Sequence, residues 1–309
     1  MSTMTCLACG ADELEHWAVA TDVEYFTSDA RYDYLRCQRC GSLSISPVPR
    51  EQLDTIYPAD YYSYDTGYNE SFAQRVKAFL DRRFFRSATQ AVEGDTLAAL
   101  DVGGGAGQQL DVLKTADARV SRTAVVDLDQ GAQQVAEASG HEFHCMPVEA
   151  FRSDGRFDVV LMLNLIEHVA EPQSVLGAAR ELLSESGVVV IKTPNVDSLD
   201  ARLFRQANWG GYHCPRHWVL FTRESFTACA ERAGLEVVSF SYQQGAPFWA
   251  TSLLSALHRR GLIKLSSDVP VFQHWLFPVA ILLGAAIDIP RSLLFKTSQM
   301  VFVLRQPQG

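Results

Sequence analysis

The central part of the chain alternates short apolar runs with segments in which apolar residues recur every three or four positions. Five β-branched runs predict strands: TLAALDV, RTAVVDLD, HEFHCM, FDVVLML and GVVVIKT. The segments between them predict helices. Strands that alternate with helices at this spacing predict an α/β fold, a parallel sheet with helices on both faces. Ligands of such sheets bind at the carboxyl ends of the strands.

Two of the helices have recognisable ends. Pro172 suits the first turn of one helix, and we expect Gly187 to end it. Thr222 can cap the other helix, and Gly234 follows its last turn. The predicted apolar faces are Val175, Leu176, Ala179, Leu182 and Leu183 in the first helix, and Phe226, Cys229, Ala230 and Ala233 in the second.

The carboxyl-terminal region predicts two more strands, LEVVSFSYQ and QMVFVLRQ, separated by about 55 residues. The intervening segment contains the apolar run WLFPVAILLGAAI, residues 275–287. This run falls short of the ~20 residues that span a bilayer. We expect a buried helix or a homodimer contact. The alternative is a surface for a lipid-linked acceptor or for shallow membrane attachment.

Composition is that of an ordinary globular protein, with 47% hydrophobic and 20% charged residues in 309. The net charge of −9 disfavours a nucleic-acid binder, whose affinity comes from Lys and Arg on phosphates. The start, MSTMTCLACG, lacks the basic and apolar regions of a signal peptide. We therefore expect a cytoplasmic protein with reduced cysteines.

Four cysteines near the amino terminus form two C-x2-C pairs: Cys6, Cys9, Cys37 and Cys40. Four thiolates in this arrangement can close a tetrahedron around zinc, with no position left for substrate. Gly10 and Gly41 follow the pairs, where a tight turn needs positive φ. A redox-active C-x2-C pair would not need a second C-x2-C pair, so the duplication argues against a redox site. The spacing predicts a structural zinc ribbon over residues 1–46.

A tyrosine-rich stretch, IYPADYYSYDTGY, and the basic amphipathic segment SFAQRVKAFLDRRFFRSATQ follow. The tyrosines are typical of packing between two domains or of a lid over a ligand pocket. We divide the chain into the ribbon (1–46), a linker with a helical lid (47–92), a ligand-binding domain (93–245) and an apolar helical insertion with the final strand (246–309).

The loop LDVGGGAGQQL joins the first central strand to a helix. Asp101 is followed by Gly103, Gly105 and Gly107, and glycines let the backbone turn sharply and approach a ligand closely. No Lys-Ser/Thr follows, which excludes the ATP-cradling loop, and the dinucleotide fingerprint fails at its third glycine. Asp127 ends the next strand, where a carboxylate can accept ribose hydroxyls.

With these motifs the chain resembles the class I S-adenosylmethionine-dependent methyltransferases, from about residue 97 to 238. The resemblance implies a Rossmann-like sheet, mostly parallel with the last strand antiparallel, and S-adenosylhomocysteine as product. It implies that Asp101 and the glycines hold the methionine part and that Asp127 and Leu128 lie at the ribose. Val148 and Glu149 should lie near the adenine. Asn164, in FDVVLMLNLIEHVAEP, should face the methyl donor.

The segment NWGGYHCPRHWVLFT resembles a subset of that family with an amino-terminal four-cysteine zinc domain, which methylates deoxysugar nucleotides and related small molecules. We therefore expect a sugar or related metabolite as acceptor. His217 is the leading general base, because imidazole titrates near neutral pH, and His213 is the second choice. A glutamate precedes the histidine in that subset. Here Arg216 stands there, which favours an anionic acceptor.

Two other classes of function stay open on the sequence alone. One is a nucleotide-sugar oxidoreductase or epimerase using NAD(P), which the glycine spacing disfavours. The other is a non-catalytic protein with a vestigial methyltransferase fold. The presence of Asp101, the glycines and Asp127 argues against it, because an inactive site has no need of these residues. The sequence leaves the target atom of the acceptor (oxygen, nitrogen or carbon) undecided.

Overall fold

The computed structural model describes residues 4–57 and 72–307. Most of the tyrosine-rich stretch, residues 58–68, lies outside the described residues. Of the tyrosines in this stretch, Tyr57 is the one that lies within the described residues. The helical part of the predicted lid is described from residue 72 onward.

A small antiparallel sheet contains the amino-terminal strands β1 (Leu14–Ala20), β2 (Tyr32–Cys37) and β3 (Leu43–Ser46). Its fourth strand comes from far along the chain: β9 (Val219–Leu220) pairs with β3. The order is β1-β2-β3-β9. The predicted ribbon is therefore part of a sheet that it shares with the segment around His217.

The second sheet has seven strands in the order β10-β11-β8-β7-β4-β5-β6. Its strands are β4 (Leu97–Val102), β5 (Val120–Asp127), β6 (Glu142–Cys145), β7 (Phe157–Leu163), β8 (Leu183–Pro194), β10 (Glu236–Gln243) and β11 (Gln299–Arg305). Only β11 runs antiparallel to its neighbours. The predicted mostly parallel sheet with an antiparallel last strand is confirmed.

The chain order reverses at β4, which lies between β5 on one side and β7 on the other. In parallel α/β sheets this switch point opens a crevice at the carboxyl ends of the strands. The glycine loop follows β4, Asp127 ends β5 and Asn164 follows β7. We call the strand ends at this crevice the carboxyl edge.

Some of the helices cover the two faces of this sheet, and others pack on the ribbon or on one another. The helices are α1 (Leu53–Ile56), α2 (Phe72–Thr89), α3 (Gln108–Ala116), α4 (Gln133–Ala138), α5 (Pro172–Leu182), α6 (Leu199–Leu203), α7 (Arg223–Arg232), α8 (Ala246–Arg259) and α9 (Phe277–Arg291). In α2, Phe85 and Ala88 join the core beneath α3, whereas Phe79 and Leu80 are exposed.

The helix ends agree with the predicted caps except at one point. Thr222 caps α7 through a side-chain bond from the Ser225 N–H, and Gly234 takes φ +79° after its end. The prediction that Gly187 ends α5 was wrong, because the helix stops at Leu182 and Leu183 begins β8 opposite Phe157. A Cβ on Gly187 would lie 2.9 Å from the Phe157 carbonyl oxygen, so glycine is needed there for strand packing.

The apolar run at residues 275–287 forms most of α9, which packs against α8. The expectation of a buried helix was wrong, because only Ala280, Gly284 and Asp288 of α9 are buried. Most of its bulky residues lie in solvent instead, whereas Phe277 and Ile281 are half-buried against residues of α8. Among residues 4–57 and 72–307, no helix combines the length and the apolarity that crossing a bilayer requires.

Candidate active site

The glycine loop leaves β4 and enters α3 through three residues with positive φ. Gly103, Gly105 and Gly107 have φ of +70°, +53° and +80°. A Cβ on Gly103 would lie 2.7 Å from Leu165 and one on Gly107 would lie 2.5 Å from His141. Side chains would therefore both strain the backbone and clash, so this path needs glycine.

Asp101 lies beneath this loop with its carboxyl group buried. Its Oδ2 atom has no hydrogen-bond partner among the described residues. Burial, and then the negative charge of Asp127, raise the pKa of Asp101 to about 8. A buried carboxyl without a partner is costly unless a ligand satisfies it. A cationic amine, such as that of S-adenosylmethionine, fits this position.

Asp127 ties the end of β5 to the glycine loop. Its Oδ2 accepts a hydrogen bond of 2.7 Å from the Gly105 N–H, and its Oδ1 accepts one of 2.8 Å from the Asp129 N–H. Each carboxylate oxygen has a second lone pair, so both can still accept ribose hydroxyls. The position of Asp127 therefore fits the role that the sequence predicts.

The residues expected around the nucleoside lie on the neighbouring loops. Leu128 exposes its side chain beside Asp127, Val148 is buried after β6, and Glu149 is exposed. Asn164 follows β7 with φ +57°, and its amide donates to Glu167 Oε1 at 3.3 Å. Positive φ is uncommon in residues other than glycine, and asparagine adopts it more readily than most.

Three histidines meet at the carboxyl edge beyond Asn164, and we call them the histidine cluster: His168, His213 and His217. The ring centroids of His168 and His217 are 4.6 Å apart, and those of His213 and His217 are 4.9 Å apart. Tyr57 Oη lies 2.8 Å from His168 Nδ1. Two loops distant in sequence thus bring three imidazoles together.

His217 is buried, and its Nδ1 lies 2.8 Å from the Gly211 carbonyl oxygen. A carbonyl can only accept, so Nδ1 carries the proton and Nε2 is basic. Burial, and then the charges of His168 and His213, lower the pKa of His217 well below its usual value. Burial also lowers the pKa of His168, to about 3. Both rings are therefore neutral at physiological pH.

Glu167 lies beneath the cluster, and burial raises its pKa to about 7. Its Oε2 accepts from the Thr193 hydroxyl at 3.0 Å, and its Oε1 is 3.9 Å from His217 Nε2. The ligand atoms of Glu167, His168 and His217 all lie within 4.8 Å of one another, a set that could also bind a metal ion.

The connection between β1 and β2 supplies acidic partners to the same loop. Glu24 Oε2 lies 2.9 Å from His213 Nδ1, and His213 is partly exposed with φ +39°. A histidine oriented by a carboxylate is the usual arrangement of a general base. Glu24 is not recognisable as a functional residue from the sequence, because no local pattern indicates which loop it contacts.

Arg216 does not point into the crevice as the sequence prediction requires. Its guanidinium is fully buried, with Nη2 bonded to Asp22 Oδ2 at 2.9 Å and its plane over the ring of Tyr25. Burial would raise the pKa of Asp22, but the charge and hydrogen bonds of Arg216 and the backbone donors bring it below its usual value. This ion pair joins the ribbon to the loop instead of binding an acceptor.

The four cysteines converge as the spacing predicts. Cys6 and Cys40 have Sγ atoms 3.7 Å apart, and Cys9 and Cys37 have Sγ atoms 3.6 Å apart. A zinc ion bound tetrahedrally by thiolates at about 2.3 Å holds its sulfurs about 3.8 Å apart. The residues therefore fit a structural zinc ion.

Comparison with known families settles the class of the domain. The methyltransferase domain family matches residues 68–240, more than half of the chain. The chain belongs to this family. Its Rossmann-like domain is an S-adenosylmethionine-dependent methyltransferase domain, and the alternative of an NAD(P)-dependent nucleotide-sugar enzyme is set aside.

The curated relatives of this methyltransferase match part of it. The ubiquinone biosynthesis O-methyltransferase of Rhodopseudomonas palustris (strain HaA2) is 30% identical over 122 residues, covering 37% of this chain and 46% of that protein. The protein of the same name from Cereibacter sphaeroides (strain ATCC 17029) is 34% identical over 131 residues, covering 40% and 49%. The chain thus spans about half the length of the curated relatives it matches.

The chain is also similar, at low identity, to solved methyltransferase structures. A putative sarcosine dimethylglycine methyltransferase from Galdieria sulphuraria is 14% identical with a TM-score of 0.49, covering 75% of this chain and 87% of that one. The N-methyltransferase NodS from Bradyrhizobium japonicum WM9, in complex with S-adenosylhomocysteine, is 14% identical with a TM-score of 0.46, covering 82% and 95%.

Proposed function

We propose that the protein transfers a methyl group from S-adenosylmethionine to a small-molecule acceptor, a sugar or related metabolite. The observation that carries this proposal is the arrangement of the carboxyl edge. In the sheet, β4 and β5, which lead to Asp101, the glycine loop and Asp127, lie on one side of β7, and Asn164 and His168 follow β7 itself. Glu167, beneath the histidine cluster, is bonded to Thr193 of β8 on the other side of β7. A donor held at the ends of β4 and β5 would present its methyl group toward the histidine cluster.

S-adenosylmethionine, when bound, supplies a methyl group on a positively charged sulfonium. The protein aligns the acceptor with it and excludes water, which can contribute most of the rate. An acceptor hydroxyl must also lose a proton. We propose that His213 accepts this proton. Its Nδ1 donates to Glu24, so its Nε2 is the basic atom. Glu24 stabilises the imidazolium that forms.

This assignment reverses the order of the two histidines that the sequence suggested. His217 stays a second candidate, but its ring is buried and its Nδ1 is bonded to Gly211. A base must reach the proton of the acceptor, and His213 is the more exposed of the two rings. We propose that His217 orients the cluster through its contacts with His168 and His213.

Zinc is the second part of the proposal. We propose one structural zinc ion bound by Cys6, Cys9, Cys37 and Cys40. Because β3 pairs with β9 and Asp22 pairs with Arg216, folding of the ribbon also orders the loop that carries His213 and His217.

The experiment that tests the function uses donor with an isotopically labelled methyl group. The purified protein is incubated with panels of sugar nucleotides, free sugars, phenols and amines, and products are identified by mass spectrometry. We expect label in one acceptor class and an equal amount of S-adenosylhomocysteine. If the protein binds the donor but sugars stay unlabelled while another class is methylated, the proposed acceptor is wrong. Absence of donor binding would refute the whole proposal.

A further inference from the structure

Helix α9 packs on its neighbour with small residues and with the half-buried Phe277 and Ile281, and turns its other bulky residues outward. Ala280, Gly284 and Asp288 face α8, and a Cβ on Gly284 would lie 2.7 Å from Trp249. Asp288 accepts a hydrogen bond from the Gly245 N–H, so the start of α8 lies beside the end of α9. A surface helix of a globular protein normally shows the reverse pattern, with its large apolar residues inward.

We define the α9 face as the exposed apolar residues of α9 and of the turns at its two ends: Trp275, Val279, Leu282, Leu283, Ile287, Ile289, Leu293, Leu294 and Phe295. Trp275 is 75% exposed, Leu282 70%, Leu293 83% and Leu294 81%. The helical members recur at intervals of three and four residues, so they form one continuous stripe. Apolar patches of this kind mark interaction surfaces.

The charge around the α9 face differs from that of the remaining chain. Residues 246–309 contain six Lys and Arg and two Asp, a net charge of +4, whereas the whole chain carries −9, so residues 1–245 carry −13. Of the two aspartates, Asp288 is buried. The basic residues Arg259, Arg260 and Lys264 lie at and after the end of α8, near the start of α9, and Arg291 ends α9. Lys296, further along the chain, is ion-paired with Asp197. Cations thus lie at both ends of the apolar stripe.

We propose that the α9 face docks on an anionic lipid bilayer. A helix of 15 residues is about 22 Å long and lies in the interface with its apolar face among the acyl chains. Trp275 suits the headgroup level, and the basic residues suit anionic headgroups. A second copy fits less well, because a two-fold contact through this face would bring the two sets of cations together.

This inference goes beyond the proposed function, since it concerns where the enzyme works. Helix α8 also packs against the loop that carries the histidine cluster, where the Gly210 N–H donates to Ser252 Oγ at 2.8 Å. When the protein docks through the α9 face, α8 lies between α9 and the loop that carries His213 and His217.

The test is sedimentation of the full chain with vesicles of phosphatidylcholine alone and of phosphatidylcholine with phosphatidylglycerol. We expect binding to the anionic vesicles, weakened by salt, and little binding to the neutral ones. Leu282→Ser and Leu294→Ser should each lower the partition coefficient by about tenfold. Leu80→Ser is the matched control, because Leu80 is an exposed leucine on α2, outside the α9 face.

Donor affinity measured on each variant shows that it is folded. The proposal is overturned if the wild-type protein does not sediment with anionic vesicles, or if Leu80→Ser reduces binding as much as Leu282→Ser. A dimer in light scattering that Leu282→Ser dissociates, without vesicle binding by the wild-type protein, would assign the α9 face to a second copy and overturn the proposal too.

Discussion

The two halves of the carboxyl edge are built in different ways. The donor half is nearly contiguous: Asp101 and the glycine loop come from one strand–helix turn, and Asp127 from the next strand. The acceptor half takes Tyr57, Glu24, His168 and His213 from four distant segments. The donor half therefore depends on local backbone geometry, whereas the acceptor half depends on the packing of the ribbon against the sheet.

The largest expected effect separates the two halves through zinc. Cys37→Ser should abolish methyl transfer, because unfolding of the ribbon removes β3 from β9 and Asp22 from Arg216. Donor affinity should change less than about threefold. This is a small change in binding free energy, since about 1.4 kcal/mol corresponds to a tenfold change in affinity. Cys145→Ser, at an exposed cysteine outside the cluster, is the control. Calorimetry and turnover on both variants, with elemental analysis for zinc, decide the outcome. A Cys37→Ser variant with normal turnover would show that the halves are not coupled.

Gly105→Val should break the donor half alone. Gly105 has φ +53°, a conformation that valine rarely adopts, and its N–H is bonded to Asp127. We expect donor affinity to fall by more than about 100-fold, because the strained backbone of the variant would no longer hold the loop against the donor. The zinc content should stay normal. Gly177→Val is the control, since a Cβ there meets nothing within 4 Å. Unchanged affinity in calorimetry would contradict the assigned donor site.

His213→Gln should break the chemistry of the acceptor half without disturbing binding of the donor. Loss of a general base lowers turnover by about 10²–10⁴-fold. Glu24→Gln should cause a smaller loss, since Glu24 only orients the ring. The matched variant His217→Gln distinguishes the two candidates. If it lowers turnover more than His213→Gln, with both variants folded and binding donor equally, then His217 is the base.

Asp22→Asn should measure the link between the ribbon and the acceptor half. It leaves the Arg216 guanidinium buried without its counter-charge, which costs about 3–5 kcal/mol of unfolding free energy. The control pair is Arg50 and Glu171, which are largely exposed, so Glu171→Gln should cost less than about 1 kcal/mol. Denaturant unfolding measures both values. Equal effects would mean that the buried pair does not hold the ribbon in place.

The smallest effect concerns pH and the donor half. Asp101, with a pKa of about 8, is mostly protonated at pH 7 and mostly ionised at pH 9, so affinity for a cationic donor should rise by about tenfold over this range. Since the pKa is raised in the folded state, the stability of the ligand-free protein should fall as the pH rises from 3.8 to about 8. Asp101→Asn should remove both trends. Calorimetry and thermal unfolding across pH provide the measurement, and trends that persist in Asp101→Asn would belong to another group.

Most of the fold was predictable because it depends on short-range patterns. The five β-branched runs became β4 to β8, and the final antiparallel strand was confirmed. The boundary at Leu183 was missed, since the end of α5 is decided by pairing with Phe157 and not by a local breaker. Burial of α9 was also mispredicted, because composition shows that a helix is apolar but not which face has a partner.

By itself the sequence determined the cysteine cluster, the glycine loop, Asp101 and Asp127, because turn geometry and ligand spacing are properties of neighbouring residues. Only the tertiary structure decided that Arg216 pairs with Asp22, that Glu24 contacts His213 and that β9 completes the sheet of the ribbon. Each of these contacts joins residues about 175 to 195 positions apart. Such contacts form only when the whole core is assembled, so no local pattern encodes them.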